Sequence, residues 1–231
     1  MEGRLLRVVP FGAALILLGA ALLTVGCSSS SGRFRFVQAA TAVPTNVDLQ
    51  VDGKSIQTAI GFGQTATYHT IGTGSHKFEL FAAGTTTNPY ASASVSVGAY
   101  TTVFAAGPFN GAIQALVPFT DDNTTPTTGN ARLRVIHMAP TASSVDVYIV
   151  PSGNDIAGLN PQISGLTYQN PSSYQQLSAN TYDVVVTVTG QQVILIRDTY
   201  TLTSQQVRTV VILDNANGGG PYSQIILNDL N

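Results

Sequence analysis

The feature that most constrains the fold is a repeated segment with the periodicity of a β-strand. The stretch RFRFVQAAT at 33–41, followed by NVDLQV at 46–51, returns as RLRVIHMAP at 132–140, followed by VDVYIV at 145–150. Apolar and polar residues alternate along both copies, so that in VDVYIV Val145, Val147 and Ile149 fall on one face of a strand, and Asp146 and Tyr148 on the other. A repeat of roughly 100 residues has the size of a domain, and the sequence therefore predicts a duplicated β domain.

Other segments pair in the same order along the two halves. They are IGFGQTATY (60–68) with LTYQNPSSY (166–174), SHKFELF (75–81) with TYDVVVTV (181–188), and GAYTTVFA (98–105) with QQVRTVVI (205–212). Gly, Pro and Asn turns separate these short alternating segments, which favours seven or eight strands in each half.

The sequence therefore predicts an all-β fold of two tandem β-sandwich domains, immunoglobulin-like or prealbumin-like, after a signal peptide. We expect a first, more degenerate domain over residues 33–120 and a second domain over residues 131–231. The polar, strand-breaking segment DDNTTPTTGN at 121–130 is typical of a linker, and solvated turn residues are the default interpretation of its acidic start.

The amino terminus has the layout of a secretory signal. Arg4 and Arg7 precede an uncharged, mostly apolar run that ends at Gly26, which predicts a signal peptide over residues 1–26. The following TVGCSSSSG resembles the lipobox of bacterial lipoproteins, although Thr24 stands where that motif usually has Leu. The resemblance implies cleavage before Cys27 and acylation of this residue, the sole cysteine of the chain. An ordinary signal peptide and an uncleaved anchor are the alternatives.

The lipoprotein interpretation sets the expected location and tether. Two or three acyl chains are enough for stable membrane anchoring. Residues 27–32 would then be the lipidated cysteine and a flexible Ser-rich tether. We expect a lipid-anchored protein of the cell envelope, on the outer membrane if the organism has one, because Ser28 rather than Asp follows the cysteine. With Cys27 used for the anchor, no disulfide forms within the chain.

Composition excludes several partners. Charged residues are 10% of the chain and the formal net charge is −2, whereas about 25% charged residues is average for soluble domains. The sequence has no basic patch for nucleic acid. It also has no Gly-rich loop that precedes a helix, so we expect neither nucleic acid nor nucleotide as a partner.

A family resemblance follows from the second half. RVIHMAPTASSVDVYIV, followed by LTYQNPSSYQQLSANTYDVVV, resembles the bacterial domain-of-unknown-function 4397 family. The matching residues are Arg134, Val135, His137, Pro140, Val145, Asp146, Val147 and Tyr148. The first half matches the family pattern less well, since Gln38 replaces the histidine and Thr41 replaces the proline. The resemblance implies secreted or surface-anchored β-sandwich domains, often in tandem, and it implies no activity.

Histidine is the first candidate for chemistry. The chain has three, and none is repeated: the positions that match His69, His76 and His137 hold Gln175, Tyr182 and Gln38. We expect His76 to be a packing residue whose ring nitrogen bonds to the backbone. For His137 there are two interpretations: a site residue near Arg134 and Asp146, or a hydrogen-bonded cap where the first strand ends at Ala139-Pro140. The cap is favoured, and no metal or cofactor is expected.

The repeated acids and arginines are the other candidates. Asp48 and Asp146 could ligate calcium, which needs six or more oxygens, or could bind backbone amides of adjacent loops, which is favoured. Arg132 and Arg134 share a strand face, as do Arg33 and Arg35. The arginines could contact an anion or polysaccharide once per domain, or lie in solvent and oppose edge-to-edge aggregation, which is favoured.

Two functions from different classes remain. The first is an envelope protein with a structural or protein-interaction role and no catalytic activity. The second is a module that binds carbohydrate or cell-wall polymer. The absence of Trp counts against it, although exposed tyrosines could stack on sugars, the candidates being Tyr90, Tyr100, Tyr148, Tyr200 and Tyr222. An enzyme is a distant third, since the sequence shows no nucleophile elbow and no paired carboxylates.

Overall fold

The computed structural model describes residue 3 and residues 30–41, 43, 45–107 and 115–230. Every helix or strand element within these ranges is a β-strand, which confirms the all-β prediction. The same ranges contain no helix with the length and hydropathy needed to cross a bilayer.

The first half contains eight strands. They are β1 (Ser31–Gln38), β2 (Val47–Val51), β3 (Lys54–Ile60), β4 (His69–Gly72), β5 (Gly74–Ala82), β6 (Ala91–Val97), β7 (Thr101–Ala106) and β8 (Ala115–Thr120). Two four-stranded sheets result, in the orders β4-β1-β7-β8 and β3-β2-β5-β6. The pairing of β1 with β7 is parallel, and the other pairings are antiparallel. Apolar residues from both sheets, Phe34, Leu49 and Phe78 among them, form the core between them.

The second half repeats this strand order. Its strands are β9 (Asn130–His137), β10 (Val145–Pro151), β11 (Ile163–Leu166), β12 (Asn170–Pro171), β13 (Gln175–Ser178), β14 (Asn180–Val188), β15 (Ile194–Leu202), β16 (Val207–Leu213) and β17 (Ser223–Leu230). The sheets have the orders β12-β9-β16-β17 and β11-β10-β14-β15, and β13 also pairs with β9. The parallel pairing recurs between β9 and β16. A second core lies between these two sheets.

The two sandwiches pack against each other through the sheets that contain β1 and β9. A third apolar cluster lies between these sheets and includes Val37, Phe104, Ile136, Met138 and Val211. The sheets are therefore covered on both faces, so β7 and β16 are buried at every position. This explains why TTVFAA and VRTVVIL lack the alternation expected of a strand with one solvated face.

The two halves run in the same direction. Near the starts of β1 and β9, Arg35 contacts Asp229 at the end of β17. At the opposite end, a Cβ on Gly218 would lie 3.7 Å from Oγ1 of Thr41 in the other half. We call the end where β1 and β9 begin the N-terminal pole and the opposite end the distal end. The chain enters the first sandwich and finishes β17 at the N-terminal pole.

The predicted tether over residues 27–32 is too long. Ser31 and Gly32 belong to β1, and the carbonyl of Ser30 accepts a hydrogen bond of 2.9 Å from the amide of Thr73. Gly32 fits because its backbone packs closely: a Cβ there would lie 2.7 Å from the carbonyl oxygen of Gly98. The first sandwich therefore begins nearer to Cys27 than the serine-rich composition suggested.

An insertion between β10 and β11 covers the outer face of the second sandwich. Ile156 packs on Tyr148, Val150 and Val185. The side-chain amide of Gln192 fixes the insertion by donating to the carbonyl of Ile156 at 2.8 Å. Tyr148, predicted to point outward and to be available for stacking on a ligand, does point away from the sandwich core but is 4% exposed beneath this cover.

Candidate functional site

Arg134 lies in a buried ionic network between the two sandwiches. Its side chain is 3% exposed and forms an ion pair with Asp121 of the first half. Its Nε donates to Thr209 Oγ1 at 2.8 Å, and its Nη1 donates to the carbonyl of Thr120 at 2.9 Å. The expectation that this arginine lies in solvent is wrong, because the face it shares with Arg132 packs on the neighbouring sandwich.

Arg35 repeats these contacts with the halves exchanged. It forms an ion pair with Asp229 of the second half. Its Nε donates to Thr102 Oγ1 at 2.8 Å, and its Nη1 donates to the carbonyl of Asn228 at 2.9 Å. Each arginine thus donates a hydrogen bond to a threonine of its own half and forms an ion pair with an aspartate of the other half. The arrangement has the reciprocity of a two-fold symmetric dimer interface.

Hydroxyl groups complete the coordination of both carboxylates. Asp121 accepts hydrogen bonds from Thr102 and Tyr68, both at 2.7 Å. Asp229 accepts the corresponding bonds from Thr209 at 2.6 Å and Tyr174 at 3.0 Å. The two tyrosine rings also lie against the guanidinium groups of Arg35 and Arg134, with distances of 4.8 and 4.9 Å from carbon to ring centre.

The charge of Arg35 is stabilised despite burial. Burial opposes the charge of Arg35, but Asp229, Tyr68 and Asp121 together outweigh it, so the pKa of the guanidinium is raised. Burial raises the pKa of Tyr68 and Tyr174, so that both hydroxyls remain protonated donors. The cluster joins two arginines to two aspartates, and Nη2 of Arg35 also lies 3.9 Å from Oδ2 of Asp121 in its own half. A buried pair of this kind costs desolvation but is strongly destabilising to break.

The outer arginine of each repeated pair lies at the rim of this interface. Arg33 donates to the hydroxyl of Tyr100 at 2.7 Å. Arg132 forms an ion pair of 2.5 Å with Asp122 and donates to the carbonyl of Thr124 at 3.2 Å. The pKa of Asp122 is accordingly lowered, chiefly by the hydrogen bond from Arg132. The start of the predicted linker is thus held on the second sandwich.

Sequence reasoning missed both aspartates of the network. Asp121 was interpreted as a solvated linker residue, yet it is 4% exposed. A signal was present in the repeat, because Asp121 and Asp229 each follow a matched tyrosine at nearly the same spacing, 53 and 55 residues. The four charged partners come from distant strands, so strand periodicity alone did not reveal that they meet.

Asp146 braces two turns of its own sandwich. One carboxylate oxygen accepts from the amide of Gly165 at 2.7 Å and the other from the amide of Gly190 at 2.8 Å. Asp48 makes the matching bonds to the amides of Ala59 and Gly84, both at 2.8 Å. These bonds confirm the backbone-bracing interpretation of the repeated acid.

His137 caps the end of β9, as the favoured interpretation predicted. It is fully buried; its Nδ1 accepts from the amide of Ala139 at 3.2 Å, and its Nε2 lies 3.1 Å from the carbonyl of Ser143. Burial lowers the pKa of this imidazole. Gln38 takes over the first of these bonds in the other half, since its Oε1 accepts from the amide of Ala40 at 2.9 Å. The structure therefore does not bring His137 into a site with Arg134 and Asp146.

His76 also keeps the bond of the residue that it replaces. Its Nε2 lies 2.9 Å from the carbonyl of Gly72, four residues earlier. Tyr182 donates from its hydroxyl to the carbonyl of Ser178, also four residues earlier, at 3.0 Å. The predicted backbone partner of His76 is thus confirmed. The second ring nitrogen bonds to Asp52, and this bond raises the pKa of His76.

Cys27, the predicted lipidation site, lies outside the described residues. Within the part of the chain that the structure describes, no group of three His, Cys, Asp or Glu residues converges in a way that could hold a metal ion.

A polar cleft opens between the two halves at the distal end. Its volume is about 190 Å³, and it is lined by Gln38, Ala40, Val43, Thr45, Asn46, Phe62, Ala216 and Asn217. The first six residues come from the loops after β1 and β3 and from the end of β1 itself. The last two come from the loop between β16 and β17. No sequence pattern marked this cleft, because it forms only where loops of two sandwiches meet.

The fold and the interface define a paired β-sandwich protein whose buried charges serve its own assembly. The chain belongs to the family described as Domain of unknown function (DUF4397), whose model matches residues 32–148. The match covers the first half and ends in β10. The sequence had suggested that this half resembles the family less than the second half does. Membership of a second, tandem copy stays a prediction.

Solved structures that resemble the chain do so weakly. The Bacillus anthracis TIE protein is 10% identical, with a TM-score of 0.28 over 79% of this chain and 34% of its own. A structure titled as alpha-glucan binding by a streptococcal virulence factor is 10% identical, with a TM-score of 0.26 over 82% of this chain and 97% of its own. The chain spans about a third of the length of the first of these proteins. No curated protein matches the sequence significantly.

Proposed function

We propose that this chain is a lipid-anchored protein of the cell envelope that acts through binding or structure and not through catalysis. The observation that carries the proposal is the use of its polar candidates inside the fold. Arg134 pairs with Asp121, His137 caps β9, and both oxygens of Asp146 bind backbone amides. These groups therefore stabilise the fold. We infer that the protein contacts its partners through other, exposed residues.

The rigidity of the pair supports the same proposal. Two sandwiches locked by reciprocal ion pairs hold their distal loops in fixed relative positions. β1 begins at Ser31, so an anchor on Cys27 would place the N-terminal pole close to the membrane. Four extended residues span at most about 14 Å. The distal end would then face away from the bilayer, where envelope partners are met.

The anchor is tested by metabolic labelling with an alkyne analogue of palmitate in a bacterial host. We expect the wild-type chain to incorporate the label and to partition into the detergent phase. Cys27→Ser should not incorporate the label, and should either be released into the soluble fraction or remain an unprocessed precursor. Ser29→Ala is the matched control and should label like the wild type. A Cys27→Ser chain that is still processed at the same place and still membrane-bound would contradict the anchor.

The binding role is tested by cross-linking in intact cells and by a broad hydrolase screen on the purified protein. We expect the wild-type chain to form an adduct with a defined envelope component, and Cys27→Ser, released from the membrane, to lose it. Turnover of any substrate in the screen at a rate abolished by a single substitution would contradict the non-catalytic role.

Binding of carbohydrate or cell-wall polymer is the second candidate function. The distal cleft favours it, because this cleft is lined by amide and hydroxyl side chains and by one aromatic ring. The tyrosines that the sequence offered for stacking support it less, since Tyr148 is buried and Tyr100 bonds to Arg33.

A further inference from the structure

We propose that the distal cleft binds an uncharged sugar residue of a polysaccharide. The inference rests on the second candidate function and names its site and ligand class. It does not depend on the lipid anchor, because both walls of the cleft belong to the described sandwiches. Four features support it: hydrogen bonds hold residues of both walls, the lining is polar, the lining residues are uncharged, and both halves contribute to the cleft.

The wall from the second half is fixed by hydrogen bonds. Asp214, fully buried, accepts from the hydroxyl of Thr141 at 3.0 Å and from the amide of Gly219 at 3.2 Å. The side chain of Asn215 accepts from the amide of Asn217 at 2.8 Å and donates to the carbonyl of Gly220 at 2.8 Å. These bonds hold the loop, and with it Asn217, in one conformation above the cleft.

On the wall from the first half, hydrogen bonds hold Gln38, the turn that carries Phe62, and Asn46. The amide of Gly63 donates to the carbonyl of Gln38 at 2.7 Å, and the amide of Gln38 donates to the carbonyl of Gln64 at 3.2 Å. Asn46 donates from its side chain to the carbonyl of Ala59 at 3.2 Å. A cleft that exists before its ligand arrives costs little ordering on binding, which is the property expected of a small-molecule site.

The lining selects a neutral, hydroxyl-bearing ligand. Asn217 carries a side-chain amide with a donor and an acceptor, and Thr45 adds a hydroxyl. Gln38 and Asn46 also carry amides, of which Gln38 Oε1 already accepts from Ala40 and Asn46 Nδ2 already donates to Ala59. Such groups match sugar hydroxyls, which also both donate and accept. None of the eight residues that line the cleft is charged, so neither an anion nor a cation would be compensated there.

The aromatic ring of Phe62 provides the apolar side of the cleft. Phe62 packs against the apolar cluster between the two sandwiches, which fixes its position. An aromatic ring is a surface on which the C–H face of a sugar can lie. A peptide would be captured by main-chain pairing with a free strand edge. The cleft is lined mainly by loop residues, which favours sugar over peptide.

The proposal is tested by saturation-transfer NMR and calorimetry on the detergent-solubilised full chain. The probes are the uncharged hexasaccharides of β-1,3-glucose, α-1,4-glucose and N-acetylglucosamine. We expect one of them to bind. Asn217→Ala should weaken that binding about tenfold, the effect of losing roughly one hydrogen bond. Ala216→Phe, at an exposed position, should abolish binding by filling the cleft.

The control is Asn154→Ala, an exposed asparagine at the N-terminal pole, which should bind like the wild type. The inference is overturned if none of the three sugars binds, if both cleft variants bind normally, or if a neutral hexapeptide of Gly, Ser and Thr competes equally well. Palmitate labelling of the same variants should be unchanged, so failure of the sugar site remains distinguishable from failure of the anchor.

Discussion

At the scale of the residue, the two halves conserve hydrogen bonds while they exchange the side chains that make them. Gln38 and His137 both accept from the amide two residues ahead. His76 and Tyr182 both bond to the carbonyl four residues back. A position that tolerates such exchange is selected for its hydrogen bond and not for acid–base chemistry. The absence of a repeated histidine therefore points to a structural role for each histidine of these two pairs.

The first prediction concerns pH. Burial lowers the pKa of His137, so the unfolded state binds more protons than the folded state as pH falls through 6.5, the ordinary value. The contribution of His137 to stability should therefore fall between pH 7.5 and pH 5. His137→Gln, which copies Gln38, should keep the bond to Ala139 and make this decline shallower. Urea unfolding of wild type and variant at the two pH values measures the difference.

His76→Gln is the control of opposite sign. The hydrogen bond to Asp52 raises the pKa of His76, so its contribution is complete below pH 6.5 and is lost as pH rises through the folded value. This variant should lose more stability at pH 5 than at pH 8. Equal pH profiles for wild type and His137→Gln would contradict the capping role of a neutral imidazole.

The second prediction concerns backbone strain at one matched position. Ala59 has φ of +55°, where the other half has Gly165 with φ of +61°. A side chain in this left-handed region costs about 1–2 kcal/mol, partly offset by the greater freedom of unfolded glycine. Ala59→Gly should thus stabilise the protein by roughly 0.5–1 kcal/mol, and Gly165→Ala should destabilise it by a similar amount.

Thermal unfolding of the two single variants measures these effects. Open space surrounds the Cβ position of Gly165, so its substitution reports strain without a steric clash. Destabilisation by both substitutions would show that positions 59 and 165 differ in more than backbone strain.

At the scale of the element, β1 and β9 carry the interface. Each strand places an apolar face in its own sandwich and an Arg-x-Arg face on the other half. The sequence predicted the strands, their alternation and their shared arginine face, because those properties follow from neighbours along one strand. It did not predict what that face meets, since Asp121 and Asp229 come from β-strand ends far along the chain.

The candidate site was predictable in part for the same reason. Local roles, such as the cap at His137 and the brace at Asp146, follow from turns next to the residue itself. Contacts between sandwiches do not, and the distal cleft and the buried network are both of that kind. The covering of Tyr148 by Ile156 likewise depends on an insertion that is absent from the first half.

The third prediction concerns the ion pair between Arg134 and Asp121. Arg134→Met leaves the buried carboxylate of Asp121 with only the more distant guanidinium of Arg35, at 3.9 Å, and should cost at most about 3–5 kcal/mol. Adding Asp121→Asn should recover part of that loss, because the poorly compensated charge is removed with it. Arg33→Met, at the exposed rim, is the matched control and should change the free energy of unfolding by less than about 1 kcal/mol.

Denaturant unfolding of the single and double variants gives the coupling energy directly. Strictly additive effects of the two substitutions would contradict a direct pair.

At the scale of the whole molecule, the described sandwiches stack as four sheets, with an apolar interface between the two inner sheets. Apolar residues of both halves fill the middle of the interface, and the reciprocal pairs of Arg35 with Asp229 and Arg134 with Asp121 hold it near the N-terminal pole. Neither sandwich can leave the other without breaking both of these buried ion pairs. Cooperative unfolding of the two halves is the thermodynamic consequence.

Differential scanning calorimetry of the detergent-solubilised chain tests this most directly. If the reciprocal interface makes one body of the two sandwiches, the protein unfolds in a single transition, with a ratio of van't Hoff to calorimetric enthalpy near 1. The variant Arg35→Met combined with Arg134→Met should broaden or split that transition. Two separate transitions in the wild type, each unaffected by these substitutions, would show that the sandwiches are independent and that the interface does not join them.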